Sequence, residues 1–342
     1  MQFIKTINMI IIQSYFVALI MIFITMLCWG SWANTQKLAS KKWRFQLFYW
    51  DYALGVLLVS LLLAFTMGSV GNEGRSFIPD LAQADPSSLW SAFLGGVVFN
   101  LANILLVVAI DIAGMAVAFP VGIGIALVWG VVVNYIKSPV GNPLILFIGV
   151  AAVAIAIIIN ALAYKKASGT NQKNVTKGLL IAVIAGISMG FFYRFVVASM
   201  ATNFVMPEAG KLTPYTAVVI FSLGLLLSNF IWNSILMAKP IDGDPVKYSD
   251  YFTQGNMKLH LIGILGGAIW NIGMSFNIIA SGAAGPAISY GLGQGATMVA
   301  AFWGVFIWKE FKGAPKGTNR LLGLMFAFFI IGLALIIIAR NA

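Results

Sequence analysis

Long apolar runs broken by short polar stretches dominate this chain. Ten runs are long enough to cross a bilayer as helices: roughly 12–34, 46–68, 89–110, 114–136, 143–164, 178–201, 213–237, 260–281, 284–308 and 321–339. About 18 to 25 apolar residues suffice for one crossing, because a helix rises 1.5 Å per residue through about 30 Å of hydrocarbon. The first run could be mistaken for a removable signal peptide. No small-residue cleavage site follows it, and it continues into Cys28-Trp29-Gly30, so it is expected to be a retained span.

The runs also repeat. Leu94-Gly95-Gly96-Val97-Val98-Phe99-Asn100 reads against Leu265-Gly266-Gly267-Ala268-Ile269-Trp270-Asn271, an offset of 171. Gly122-Ile123-Gly124 matches Gly293-Gln294-Gly295 at the same offset. Trp129-Gly130-Val131 matches Trp303-Gly304-Val305 slightly further out, and Leu54-Gly55 echoes Leu223-Gly224 at 169. Each half holds five spans, an odd number, so the second half is expected upside down relative to the first. The predicted fold is all-α and polytopic: ten transmembrane helices in two inverted five-helix repeats. The first is expected over 1–164, a short linker over 165–177, and the second over 178–342. Secondary transporters use this plan, with substrate near the midplane between the halves.

Composition agrees. Apolar residues make up 60% of the 342 and charged ones 9%, too little polar surface for a soluble domain of this size. The net charge of +11 does not imply a nucleic-acid partner. Fifteen basic residues fall in the loops after spans one, five, seven and nine, among them Lys37, Lys41, Lys42, Arg44, Lys165, Lys173, Lys239 and Lys309. Only Lys5, Arg75, Lys137, Lys211 and Arg340 fall on the other side. Basic residues accumulate in cytoplasmic loops, so both termini are expected outside. A bacterial inner membrane is the expected location. The sequon at Asn174 then falls in a cytoplasmic loop and carries no weight. Cys28 is the only cysteine, so neither a disulfide framework nor a zinc site can form, and no metal or cofactor is expected.

Two charges lie within spans, where they are costly and normally face a cavity or a partner. Asp51 stands seven residues beyond Arg44, roughly 10 Å into the membrane. It is the candidate carboxylate for the coupling proton, or for sodium in its place; the alternative is a carboxylate paired with nearby lysines or capping amides. Arg194 lies in the outer third of span six. It could hold a carbonyl or anionic group by a forked contact. Otherwise it pairs with Glu208 or reaches the headgroups.

The repeat sets Asn100 and Asn271 at matching depths near the midplane. An amide offers donors and acceptors without charge, which suits hydroxyl-rich or ureido substrates. Trp270 could stack on a ring. Asn103 extends this set; Asn277, on the same span as Asn271, is a weaker candidate. The alternative for each asparagine is an interhelical hydrogen bond. In span nine, Ser289-Tyr290-Gly291-Leu292-Gly293-Gln294-Gly295 permits close packing or local unwinding, with Gln294 and Tyr290 as candidate contacts. Trp32 and Asn34 complete the candidate set near the inner end of span one, where a tryptophan is often only an interfacial residue. His260 reads as interfacial.

Ten spans in a five-plus-five repeat resemble the drug/metabolite transporter superfamily. Trp29-Gly30-Ser31-Trp32, the basic stretch after it and Asp51-Tyr52 are similar to the plant ureide permeases. So are Lys211-Leu212-Thr213-Pro214-Tyr215-Thr216-Ala217 and the stretch from Gly266-Gly267 through Trp303-Gly304-Val305 to Glu310. Glucose/ribose porters and rhamnose–proton symporters share much of that last stretch. The resemblance implies proton-coupled uptake of a small polar metabolite, either a monosaccharide or a ureide or nucleobase-like compound. The plant proteins carry a long central loop, whereas the linker here is short. Export within the same superfamily is the nearest alternative, and a non-transporting membrane sensor or scaffold is the alternative of another class. An enzyme is not expected: the chain has no His cluster, no second carboxylate near Asp51 and no metal-ligand spacing.

Overall fold

A computed structural model describes residues 8–39, 43–168, 175–240 and 244–342. Lys5, Lys41, Lys42, Lys173 and the sequon residue Asn174 lie outside the described residues. Among the described residues, ten helices are long and apolar enough to cross a membrane: Tyr15–Ala39, Phe45–Phe65, Pro86–Ala113, Ala118–Lys137, Pro143–Ala167, Thr176–Ser199, Pro214–Ala238, Met257–Ala284, Pro286–Ile307 and Thr318–Ala339. They are called spans one to ten. Two short helices, Phe77–Gln83 and Tyr248–Thr253, lie in the connections after spans two and seven.

Polar punctuation sets the ends. Pro86, Pro143, Pro214 and Pro286 each open a span, where a missing N–H costs nothing. Gly114 and Gly285, at φ 79° and 86°, turn the chain from span three into four and from span eight into nine. Both turns need the left-handed region that glycine enters freely, and they stand 171 residues apart, the offset of the sequence repeat.

Two spans are broken. Span one changes helix at Trp32, between Tyr15–Ser31 and Ala33–Ala39. Span nine is a helix over Pro286–Gly293, a turn at Gln294–Gly295, a helix over Ala296–Phe302 and a π-helical stretch over Trp303–Ile307. The glycine-rich segment thus unwinds where its composition allowed. Such breaks are tolerated at membrane depth only where protein or a cavity meets the freed backbone.

The packing pairs come in sets related by a shift of five spans. Span three packs on six, and eight on one; span two packs on eight, and seven on three. Span four packs on six, and nine on one; spans two and seven, four and nine, and five and ten pack on each other. The closest approaches obey the same shift. A Cβ at Gly96 would stand 2.0 Å from the Phe221 carbonyl oxygen, and one at Gly267 would stand 1.9 Å from that of Tyr52. Only glycine permits backbones this close.

Contacts also define the two ends. At the lysine-rich end, Lys37 Nζ lies 2.6 Å from Glu310 and Arg44 donates to the Asp244 carbonyl. At the opposite end, Arg75 pairs with buried Asp80 at 2.7 Å and also donates to the Lys211 carbonyl. Asp80 accepts from the Thr213 amide and hydroxyl, locking the head of span seven.

Candidate substrate site

The breaks in spans one and nine both border a chamber of about 190 Å³, to which Trp32 and Gln294 contribute. Its walls are largely aromatic: Trp29 and Trp32 from span one, Phe99 from span three, Phe192 from span six and Trp270 from span eight. Trp270 organises them. Its ring stacks with Trp29 at 6.0 Å and 15°, and lies 4.5 Å from Phe99. The Trp29 indole N–H donates to the Trp270 carbonyl at 3.2 Å. Trp32 leans on Tyr52 at 4.9 Å.

The polar groups of the chamber are uncharged. Asn103, Gln294 and Thr297 contribute to the wall. Asn103 Nδ2 donates to the Tyr49 hydroxyl at 3.0 Å, which fixes the amide. Thr297 Oγ1 donates to the Gln294 carbonyl at 2.8 Å and so completes the backbone bonding at the break.

Gly30, Ala33, Phe119, Thr297 and Ala300 are shared with a second cavity of about 400 Å³. This vestibule runs toward the lysine-rich end, along Asn34, Asn160, Tyr164 and Trp303, to a mouth at Lys37 and Glu310. The Glu310 carboxylate gathers three spans there. It accepts from Lys37 Nζ at 2.6 Å and from the Tyr164 hydroxyl at 2.7 Å, while its own amide bonds the Gly304 carbonyl. The Lys37 ammonium also sits 4.2 Å over the Trp308 ring. The Trp308 N–H donates to Asn34 Oδ1 at 2.6 Å. The π-helical stretch ending span nine and the positive φ of Lys309, 53°, fold Glu310 back toward Gly304.

Behind the chamber, spans four, six, eight and nine are bonded together. Tyr290 and Tyr193 rings lie 5.1 Å apart, and the Tyr290 hydroxyl donates to the Ala126 carbonyl at 3.1 Å. Asn277 Nδ2 donates to the Ser289 carbonyl, and the Ser289 hydroxyl returns a bond to the Asn277 carbonyl at 2.7 Å.

Of the candidates read from the sequence, the structure brings together Trp32, Asn103, Trp270 and Gln294 around the chamber, with Asn34 in the vestibule. Tyr290 is buried behind the wall and lines neither cavity. Asn100 and Asn271 are fully buried and also line neither. Asn100 Nδ2 donates to the Leu225 carbonyl at 3.1 Å, and Asn271 Nδ2 to that of Val56 at 2.8 Å. These two amides join span three to seven and span eight to two. Arg194 stands half-buried on span six, away from both cavities. Glu208 accepts instead from Thr202, whose hydroxyl holds the carboxyl below its usual range.

Asp51 also lies outside the cavities. It is fully buried and accepts from the Trp43 indole at 3.1 Å and the Tyr251 hydroxyl at 2.5 Å, and it meets His260 Nδ1 at 3.0 Å. Burial first, and the bond to Asp51 second, push the Tyr251 phenol well above its ordinary range. His260, read from sequence as interfacial, is thus a direct partner of Asp51. Glu310, Tyr164 and Asn160 escaped a search for charges within spans: Glu310 comes just after span nine, and the other two are uncharged.

The sequence profile that decides the family is that of the ureide permeases, which matches residues 48–177 and 159–339. This chain belongs to the ureide permease family. Its members are transporters, not enzymes, and this is a multi-pass membrane transporter. The two matched segments overlap over 159–177, from the end of span five to the head of span six. Ureide permease 4 of Arabidopsis thaliana is 25% identical over 402 residues, covering 96% of this chain and 98% of its own length. Ureide permease 1 of the same plant is 24% identical, with the same coverage of each chain. One crystal structure shares the fold, with a TM-score of 0.60 at 16% identity, over 96% of this chain and all of that one.

Proposed function

We propose that this protein carries a small, neutral ureido compound across a cell membrane, by alternating access of two inverted five-helix halves. The chamber carries the reading. Its aromatic faces suit a flat ring, and the Asn103 and Gln294 amides offer donors and acceptors side by side to a –CO–NH– edge. No charged side chain lines it among the described residues, so an ionic substrate would find no counter-charge there. The names of the plant relatives support the same chemistry. In this orientation the lysine-rich end is cytoplasmic, both termini are outside, and the vestibule opens inward. The paired packing of the spans, and the glycine contacts that repeat with it, support the inverted halves. Coupling to a proton through Asp51 acts at a distance from the chamber, through the hold of Asp51 and His260 on the heads of spans two and eight.

Thermal unfolding of the purified protein with allantoin, uracil and glucose tests the substrate class. A ligand at a hundred times its dissociation constant stabilises by about 2.7 kcal/mol. Stabilisation by the ureido compounds, lost in Trp270→Ala, is the expected result. Stabilisation by glucose alone moves the assignment to a sugar, and none by any of the three removes it.

A further inference from the structure

The inner part of span five reads Ile157-Ile158-Ile159-Asn160-Ala161, apolar but for one amide. Asn160 is only 6% exposed. Its Oδ1 is shielded from solvent and has no hydrogen-bond partner, and its Nδ2 donates to no described residue. Asn100 and Asn271 also leave Oδ1 without a partner, but each gives its Nδ2 to a neighbouring carbonyl, which Asn160 does not. A buried amide left unpaired is costly, so such a group normally meets a ligand or water.

The helix period places the vacant amide. Residues three and four apart share a face. Ile157, Asn160, Ala161 and Tyr164 all line the vestibule. Asn160 is therefore set in the vestibule wall one turn above Tyr164, whose hydroxyl is already fixed on Glu310. With Oδ1 shielded, the group that Asn160 offers to the vestibule is its Nδ2 donor, whose natural complement is a ureido carbonyl oxygen. At about 400 Å³ the vestibule exceeds the chamber and can hold a small ring with its water.

We propose that the vestibule is a second substrate subsite, in which Asn160 Nδ2 donates to the ureido carbonyl of the substrate between the aromatic chamber and the lysine-rich mouth. The proposal rests on the ureido reading of the chamber and adds to it. The chamber holds the ring by stacking, whereas the vestibule takes the same molecule by a carbonyl oxygen as it passes. The substrate stays whole, and only hydrogen bonds are exchanged.

The test uses the full chain, purified, with radiolabelled allantoin and uracil. Equilibrium binding to the unaltered protein is expected to reach two molecules per chain, in a tighter and a weaker class. Asn160→Leu should remove the weaker class, bringing the stoichiometry to one, and change the tighter dissociation constant less than twofold. In proteoliposomes it should slow exchange from the vestibule side at least fivefold. Its unfolding temperature should equal or exceed that of the unaltered protein, because an unpaired amide has been replaced by an apolar group. Asn160→Ser provides a second variant with the same binding outcome. If binding reaches one molecule per chain and both variants leave binding and exchange unchanged, the second subsite is wrong while the chamber reading stands. If both variants instead lower the unfolding temperature without altering binding, Asn160 serves packing and the proposal is overturned. If the unaltered protein binds neither compound, the substrate class fails and the subsite with it.

Discussion

His260 Nδ1 stands 3.0 and 3.1 Å from the two carboxylate oxygens of Asp51, joining the head of span eight to that of span two. Trp43 and Tyr251 add two further donors, so one carboxylate also fixes the short helix Tyr248–Thr253. Asp51→Asn keeps the shape and removes the charge. In proteoliposomes with an imposed proton gradient it is expected to abolish uphill uptake and spare counterflow. Intact uphill uptake would remove the coupling role. Asp51→Leu leaves buried donors without an acceptor and should cost about 2–4 kcal/mol in denaturation of the detergent-solubilised protein.

Tyr251 gives this knot a pH signature. Its phenol titrates above the usual range in the folded protein, for reasons of burial first and the Asp51 bond second. The unfolded phenol titrates near pH 10. Below that pH its contribution to stability is complete. As the pH rises past about 10, the unfolded chain releases the proton first and stability falls. Unfolding temperatures measured from pH 8 to 11 should therefore decline less steeply in Tyr251→Phe than in the unaltered protein. Parallel slopes would show that the phenol contributes nothing.

Asn100 and Asn271 make equivalent bonds in the two halves. Asn100→Ala and Asn271→Ala should each lower stability by about 1 kcal/mol, and allantoin affinity should stay within twofold. The two losses should add, since the sites share no partner. A tenfold loss of affinity in either single variant would return that amide to the substrate site.

Gly267→Ala would drive a methyl against the Tyr52 carbonyl, and Gly96→Ala one against that of Phe221. Neither backbone can yield without separating two spans. Each variant should lose at least about 1–3 kcal/mol, read as a lower unfolding temperature or a failure to elute as a monodisperse peak. Gly323→Ala, with nothing within 4 Å of the added atom, is the control and should behave as the unaltered protein.

The architecture was legible because bilayer thickness and apolar run length are the same measurement. The ten spans begin and end within a few residues of the runs in the sequence, and the break at Gln294–Gly295 follows from the glycines around it. The site was half legible. Depth along a span can be counted, so Trp270, Asn103 and Gln294 were found at chamber level. Which face a residue takes is harder to read in a helix that is apolar all round. Asn100 and Asn103 differ by three positions, yet one bonds a helix and the other lines the chamber. Asp51 drew notice for its charge, but its partners His260 and Tyr251 are about 200 residues away, and only tertiary packing joins them.

The five-span shift in packing has a last consequence. The vestibule is walled by spans one, four, five and nine. Under the alternating access proposed above, an exchange of conformation between the two halves would carry those walls to spans six, nine, ten and four. The opposite entrance would then be built from helices already present, with four and nine common to both doors.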